Sequence, residues 1–219
     1  MTAVISWLGR PQPDDPTVPT LVLLHGHGSH EQDLIQLVPA MQMFLPDVHA
    51  KVLAVRGSFP ALGRPRGYSW FPGSVREQPP AESVALAVDA VAGVVRQHTG
   101  RAVVLGFSQG MCMAVTLLRR HPELVRAVVG LSGFVYDDWQ PGDAELSVRV
   151  RAGAGVPAFF GYDPADPIVP IRATDHARRY LHEHTELEEH RYPGIGHGVG
   201  LPEITDVARF LTRFLHAGS

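Results

Sequence analysis

The chain reads as an α/β protein with a mostly parallel central sheet and helices on both faces. Three observations predict this. Short β-branched and apolar runs alternate with helical patterns along the 219 residues. Several of those runs are apolar on both faces, as strands inside a parallel sheet must be. A serine between glycines sits where one such run gives way to a helical pattern.

The predicted strands are residues 3–8, 20–25, 48–56, 102–107, 127–132, 158–162 and 187–192. The predicted helices are 33–44, 81–98, 109–121, 171–184 and 202–216, with Pro122 as a stop for the third. Residues 9–19 are rich in Pro and polar groups and read as an early connection. Residues 57–80 carry many Gly, Pro and Arg together with Tyr68, Trp70 and Phe71, and read as a long loop of the kind that is functional or mobile. Residues 133–155 form a second, weakly patterned connection, too short for a large cap domain. The length fits a single domain over residues 1–219.

Composition narrows the function classes. The chain is 45% hydrophobic and 19% charged, which reads as globular. The formal net charge is −3, and no concentrated basic stripe argues for a nucleic-acid partner. Lys51 is the only lysine, a coding bias with no functional content. Cys112 stands alone, so no intrachain disulfide forms. The first ten residues lack a basic segment followed by an apolar one. The longest apolar stretch, residues 84–95, is broken by Asp89 and is too short to span a bilayer. A cytoplasmic location with no integral membrane segment is the expectation.

The strongest chemical signal is Gly106-Phe107-Ser108-Gln109-Gly110, a G-x-S-x-G between the apolar run 102–105 and a helical pattern. This context predicts the nucleophile elbow of an α/β-hydrolase fold, with Ser108 Oγ exposed at a strained turn. The two glycines let strand and helix approach closely. The amide of Gln109 then points from the helix start towards a developing oxyanion.

A second donor is expected after an earlier strand. Leu21-Val22-Leu23-Leu24-His25-Gly26-His27-Gly28 supplies a buried strand and a glycine-rich loop, with the His27 amide as the candidate. The same segment carries a rival reading. His25, His27 and His30 have the H-x-H-x-x-H spacing of a zinc site, although Ser29 stands where that motif has Asp.

A serine hydroxyl needs a general base, and the base needs a carboxylate to set its tautomer. Asp163 and Asp166 follow the run 158–162, at the strand end where such a carboxylate belongs. Asp166 is preferred, partly on the resemblance below, with Asp163 as a turn cap. Among 12 histidines, only His197 combines a strand-end loop, flanking glycines and a place after the acid. His121, His176, His182, His184, His190 and His216 are expected to be solvated.

These motifs resemble the phospholipase/carboxylesterase family, which includes bacterial carboxylesterases and acyl-protein thioesterases. The likeness covers nearly the whole chain. Leu24-His25-Gly26-His27-Gly28 resembles the family's L-H-G-x-G loop, and Asp33-Leu34 its nearby D-L. Val55-Arg56-Gly57 resembles a strand ending in R-G, and Tyr68-Ser69-Trp70-Phe71 the aromatic segment near the acyl pocket. Gly106-Phe107-Ser108-Gln109-Gly110 matches G-F-S-Q-G. Leu131-Ser132-Gly133 resembles L-S-G, Asp166-Pro167-Ile168-Val169-Pro170 resembles D-x-x-V-P, and Gly196-His197 the catalytic G-H. The resemblance implies a cap-free α/β-hydrolase fold, a Ser108-His197-Asp166 triad, no metal or other cofactor, and an exposed acyl groove. Met111 and His27 depart from the family pattern, which often has Gly or Ala and Leu there.

The combined expectation is a serine hydrolase of esters, thioesters or lysophospholipids, working through an acyl-enzyme on a small-molecule substrate. Trp70 and Phe71 are candidates for the pocket wall, or for pinning their loop to the core. The alternatives are a non-catalytic receptor on the same scaffold, a zinc hydrolase using the three histidines, or an acyltransferase or peptidase using the same triad. An apolar groove would equally serve a homodimer.

Overall fold

The computed structural model describes residues 2–13, 15, 17–73, 75 and 79–215. Among these, the strands are β1 (Ala3–Leu8), β2 (Thr20–Leu24), β3 (Ala50–Val55), β4 (Phe59–Pro60), β5 (Tyr68–Ser69), β6 (Ala102–Phe107), β7 (Val125–Leu131), β8 (Pro157–Tyr162) and β9 (Glu186–Arg191). The α-helices are α1 (Val38–Gln42), α2 (Ala81–His98), α3 (Gln109–Arg120), α4 (Asp143–Arg151), α5 (Ile171–His184) and α6 (Leu201–Thr212).

Seven strands form one sheet in the order β1-β3-β2-β6-β7-β8-β9. Only β1 runs antiparallel to its neighbour; all the other pairings are parallel. The ends of β2, β3, β6, β7, β8 and β9 therefore meet along one edge, which is where ligands bind in open α/β sheets.

Period-2 alternation divides the core between the faces. Val22, Leu24, Leu53, Val104, Val128 and Phe160 face the layer that contains α2, α3, α4 and α5. Leu21, Leu23, Val52, Leu105, Val129 and Phe159 face α1 and α6. Val84, Val88, Val91 and Val95 line one stripe of α2 at helical spacing and are buried, which explains why that helix was legible. Each such side chain removed from water contributes about 1.5–3 kcal/mol.

The structure departs from expectation in four places. The predicted helix 33–44 splits into a 3-10 turn, Leu34–Leu37, and the short α1. Pro39 has no N–H to donate backwards and its ring crowds the previous turn, so one continuous helix cannot form. The connection 133–155 contains α4, whose alternating charges and single large buried apolar residue, Leu146, hide its periodicity. The segment 57–80, read as a long loop, carries the small β4–β5 hairpin. The predicted last helix ends at Thr212, and His216 lies outside the described residues.

Candidate active site

Ser108 sits at the turn between β6 and α3 with φ 55° and ψ −117°, a left-handed strain that bulky residues avoid. The glycines make the turn feasible. A methyl group on Gly106 would lie 2.1 Å from the Gly110 carbonyl oxygen, and one on Gly110 would lie 1.9 Å from that of Leu24. Met111, the departure next to this motif, is fully buried and packs over Gly130 and Gly133.

His197 lies between Ser108 and Asp166. Its Nδ1 is 2.7 Å from Asp166 Oδ2, and its Nε2 is 3.0 Å from Ser108 Oγ. An ionised Asp only accepts, so Nδ1 carries the proton, leaving Nε2 free to accept from the serine hydroxyl. The Asp166 side chain is 3% exposed. Its second oxygen accepts the amides of Ile168 and Val169 at 2.7 and 3.0 Å, which fixes its rotamer. The ring of Phe107 lies 5.0 Å from that of His197.

Asp163 has a separate task. One oxygen accepts the Ala165 amide, and the other accepts the amides of Gly194 and Gly196 at 2.9 and 2.8 Å. Those backbone bonds hold its carboxyl below the usual carboxylate range. Asp163 thereby clamps the loop that carries His197. Ser132 adds a second clamp, its hydroxyl donating to the Gly198 carbonyl at 3.1 Å.

The oxyanion-side loop runs alongside Ser108. A methyl group on Gly26 would sit 3.4 Å from Ser108 Cβ. The Gly28 amide donates to the Tyr68 carbonyl at 2.8 Å, and the Tyr68 amide to that of Ser29 at 2.6 Å, so β5 braces the loop. Arg56 forms a two-pronged ion pair with buried Glu31, which pulls the Glu31 carboxyl down to about 2.

His25 donates from Nδ1 to the Gly26 carbonyl and accepts the Gly57 amide at Nε2. Burial keeps its pKa below the ordinary histidine value, so it stays neutral. Both of its ring nitrogens are committed. Among the described residues, no group of three or more His, Cys, Asp or Glu is placed to hold a metal ion, so His25, His27 and His30 are not assembled into such a group.

Trp70 and Phe71 are fully buried, with no surface available to a ligand in this conformation. The Trp70 indole donates to the His25 carbonyl at 2.7 Å. The Gln109 side chain grips the same segment. Its carbonyl oxygen accepts the Trp70 amide at 3.0 Å, and its amide donates to the Phe71 carbonyl at 3.1 Å. These are the contacts of a loop anchor, and contact with substrate would require this segment to move. The Gln109 backbone amide stands first in α3, where no intrahelical acceptor exists.

Glu203, in the first turn of α6, is the residue that sequence reasoning missed most fully. It is 0% exposed, and neither carboxylate oxygen has a hydrogen-bond partner. A methyl group on Gly161 of β8 would lie 2.1 Å from its Oε1, so that glycine leaves it room. Burial pushes its pKa up to about 7, only partly offset by the nearby Gly200 amide. Nothing local in the sequence marks it as buried.

The phospholipase/carboxylesterase family matches residues 11–215 of this chain. The chain belongs to that family. It is similar to the putative hydrolase MhqD of Bacillus subtilis, 26% identical over 167 residues that cover 74% of this chain and 77% of MhqD. It is also similar to acyl-protein thioesterase 1 of Kluyveromyces lactis, 27% identical over 113 residues, which span 50% of this chain and 48% of the thioesterase. In fold it is similar to esterase PE8, with a TM-score of 0.75 at 23% identity over 98% of this chain and 100% of the other. The Bacillus cereus carboxylesterase gives 0.73 at 19% identity over 97% and 94%. Membership in the phospholipase/carboxylesterase family makes the chain a hydrolase of the carboxylesterase and thioesterase type. No described helix is long and apolar enough to cross a membrane.

Proposed function

We propose that the chain cleaves carboxylic esters and thioesters of small molecules through an acyl-enzyme on Ser108. His197 Nε2 takes the hydroxyl proton as Oγ attacks the carbonyl. Asp166 keeps the proton on Nδ1 and stabilises the imidazolium that forms. The amides of His27 and Gln109 hold the oxyanion, each contributing about 3 kcal/mol to the transition state. His197 then protonates the leaving alcohol or thiol, and water attacks the acyl group with His197 again as base.

The observation that carries this reading is the unbroken line of hydrogen bonds from Ser108 Oγ through His197 to Asp166, at 3.0 and 2.7 Å. Ser108→Ala tests it. The variant keeps its fold and loses p-nitrophenyl ester hydrolysis by a factor of roughly 10⁴ or more. Near-native turnover by the variant rejects Ser108 as nucleophile.

A further inference from the structure

Beside the oxyanion loop lies a concavity of about 520 Å³, lined by Gly28, Ser29, His30, Arg64 and Arg66 among others. Among the described residues, no carboxylate lines it. The nearby acids are occupied: Asp33 accepts the Ser29 hydroxyl and Glu31 binds Arg56. Arg64 and Arg66 form no ion pair among the described residues, in contrast to Arg56, Arg96, Arg119, Arg120, Arg178 and Arg213.

The two arginines are placed by their backbone. The Gly67 amide donates to the Arg64 carbonyl at 2.9 Å, closing a turn with Pro65 second and Arg66 third. Arg66 has φ 64°. Proline followed by a positive φ is the order of a type II turn, which favours Gly or Asn where Arg66 stands. An arginine there costs roughly 1–2 kcal/mol of backbone strain. The turn packs directly on the oxyanion loop. A methyl group on Gly67 would lie 2.5 Å from the Gly28 carbonyl oxygen, and one on Gly28 would lie 2.6 Å from Arg64 Cδ. The Arg64 stem thus crosses over the residue next to His27, about 3.8 Å further along the backbone. His30 faces the same concavity. Its Nδ1 accepts the Gln32 amide, so its Nε2 carries the proton and adds a donor.

We infer that Arg64 and Arg66 form an anion subsite, and that the preferred substrates are esters or thioesters carrying a carboxylate or phosphate besides the bond that is cut. Two guanidinium groups and an imidazole N–H give forked donors that match such oxyanions. This inference rests on the serine-hydrolase reading above. An anion on the acyl part and one on the leaving group present the same chemistry, and the substrates separate them.

The test compares the wild type with an Arg64→Gln/Arg66→Gln double variant. On the acyl side, mono-p-nitrophenyl glutarate is set against p-nitrophenyl valerate. On the leaving-group side, the butyryl thioester of 3-mercaptopropionate is set against that of 2-mercaptoethanol. Exposed charge pairs are individually weak, so the ratio of kcat/KM for the anionic over the neutral member should fall about tenfold in one pair. An unchanged ratio in both pairs overturns the subsite. Calorimetric titration of the Ser108→Ala protein with the anionic member of the pair that responds decides the matter without turnover. Binding weakened by the two arginine substitutions supports the subsite, and binding that is absent or unaffected by them overturns it. Equal turnover by wild type and Ser108→Ala protein instead removes the nucleophile, whatever the titration shows.

Discussion

The two banks of the active site are built differently. On the oxyanion bank, His25, Trp70 and Gln109 form a buried polar network in which each side-chain nitrogen and oxygen has a partner. On the histidine bank, Asp163 and Asp166 are equally well held, but Glu203, packed against Gly161 of β8, has two unpaired buried oxygens. The first bank is neutral at its centre and locked, so its geometry does not depend on protonation. The second contains a carboxylate whose charge changes near neutral pH. The comparison separates a polar network that rigidifies from a polar group that destabilises once ionised.

The largest expected effect falls on the locked bank. Trp70→Ala removes a fully buried ring and the donor to the His25 carbonyl, and should cost roughly 3–5 kcal/mol of stability in urea unfolding. A loss under 1 kcal/mol would mean the network is not the anchor.

Glu203 gives the opposite sign. The folded state raises its pKa from 4.5 to about 7, so the fold prefers the protonated carboxyl. The contribution of this group is intact below pH 4.5, declines as pH rises towards 7, and levels off above that. Converted to free energy the shift is about 3 kcal/mol, an upper figure. Glu203→Gln should therefore stabilise the protein above pH 7 and leave it nearly unchanged at pH 4. Thermal melts across that range check it, and a variant less stable at pH 8 would show that the ionised carboxylate has a partner.

A smaller effect is expected at Asp163. Asp163→Asn keeps the shape but loses the charge-assisted grip on the Gly194 and Gly196 amides. Turnover should fall about tenfold with little change in KM, because positioning of His197 suffers while binding does not. Because the Asp163 carboxyl is held below the usual range, the wild-type grip persists to mildly acidic pH.

Much of this was legible in the sequence because its signals are local. Residues 102–107 and 81–98 were read with the bounds the structure has, one from a continuous apolar run and one from a four-residue stripe. Ser108 stood out as a G-x-S-x-G between an apolar run and a helical pattern, and the close backbone approaches at Gly106 and Gly110 give that spacing its physical reason. His197 was read from its glycine-flanked strand-end loop, whereas Asp163 and Asp166 share one strand end and Asp166 was preferred partly on resemblance. What escaped depends on tertiary neighbours. Asp163 looked like a turn cap, and its hold on a loop thirty residues away has no local mark. Trp70 and Phe71 looked equally suited to wall and anchor, a choice that only the Gln109 and His25 contacts inform. The burial of Glu203 has no local mark, because the glycine that makes room for it, Gly161, lies on another strand.

The most direct test of the central claim is peptide mapping after treatment with a fluorophosphonate probe, which reacts only with an activated serine. One adduct is expected, on Ser108, and it disappears in the His197→Ala protein. An unlabelled Ser108, or an adduct that forms equally well without His197, would contradict it.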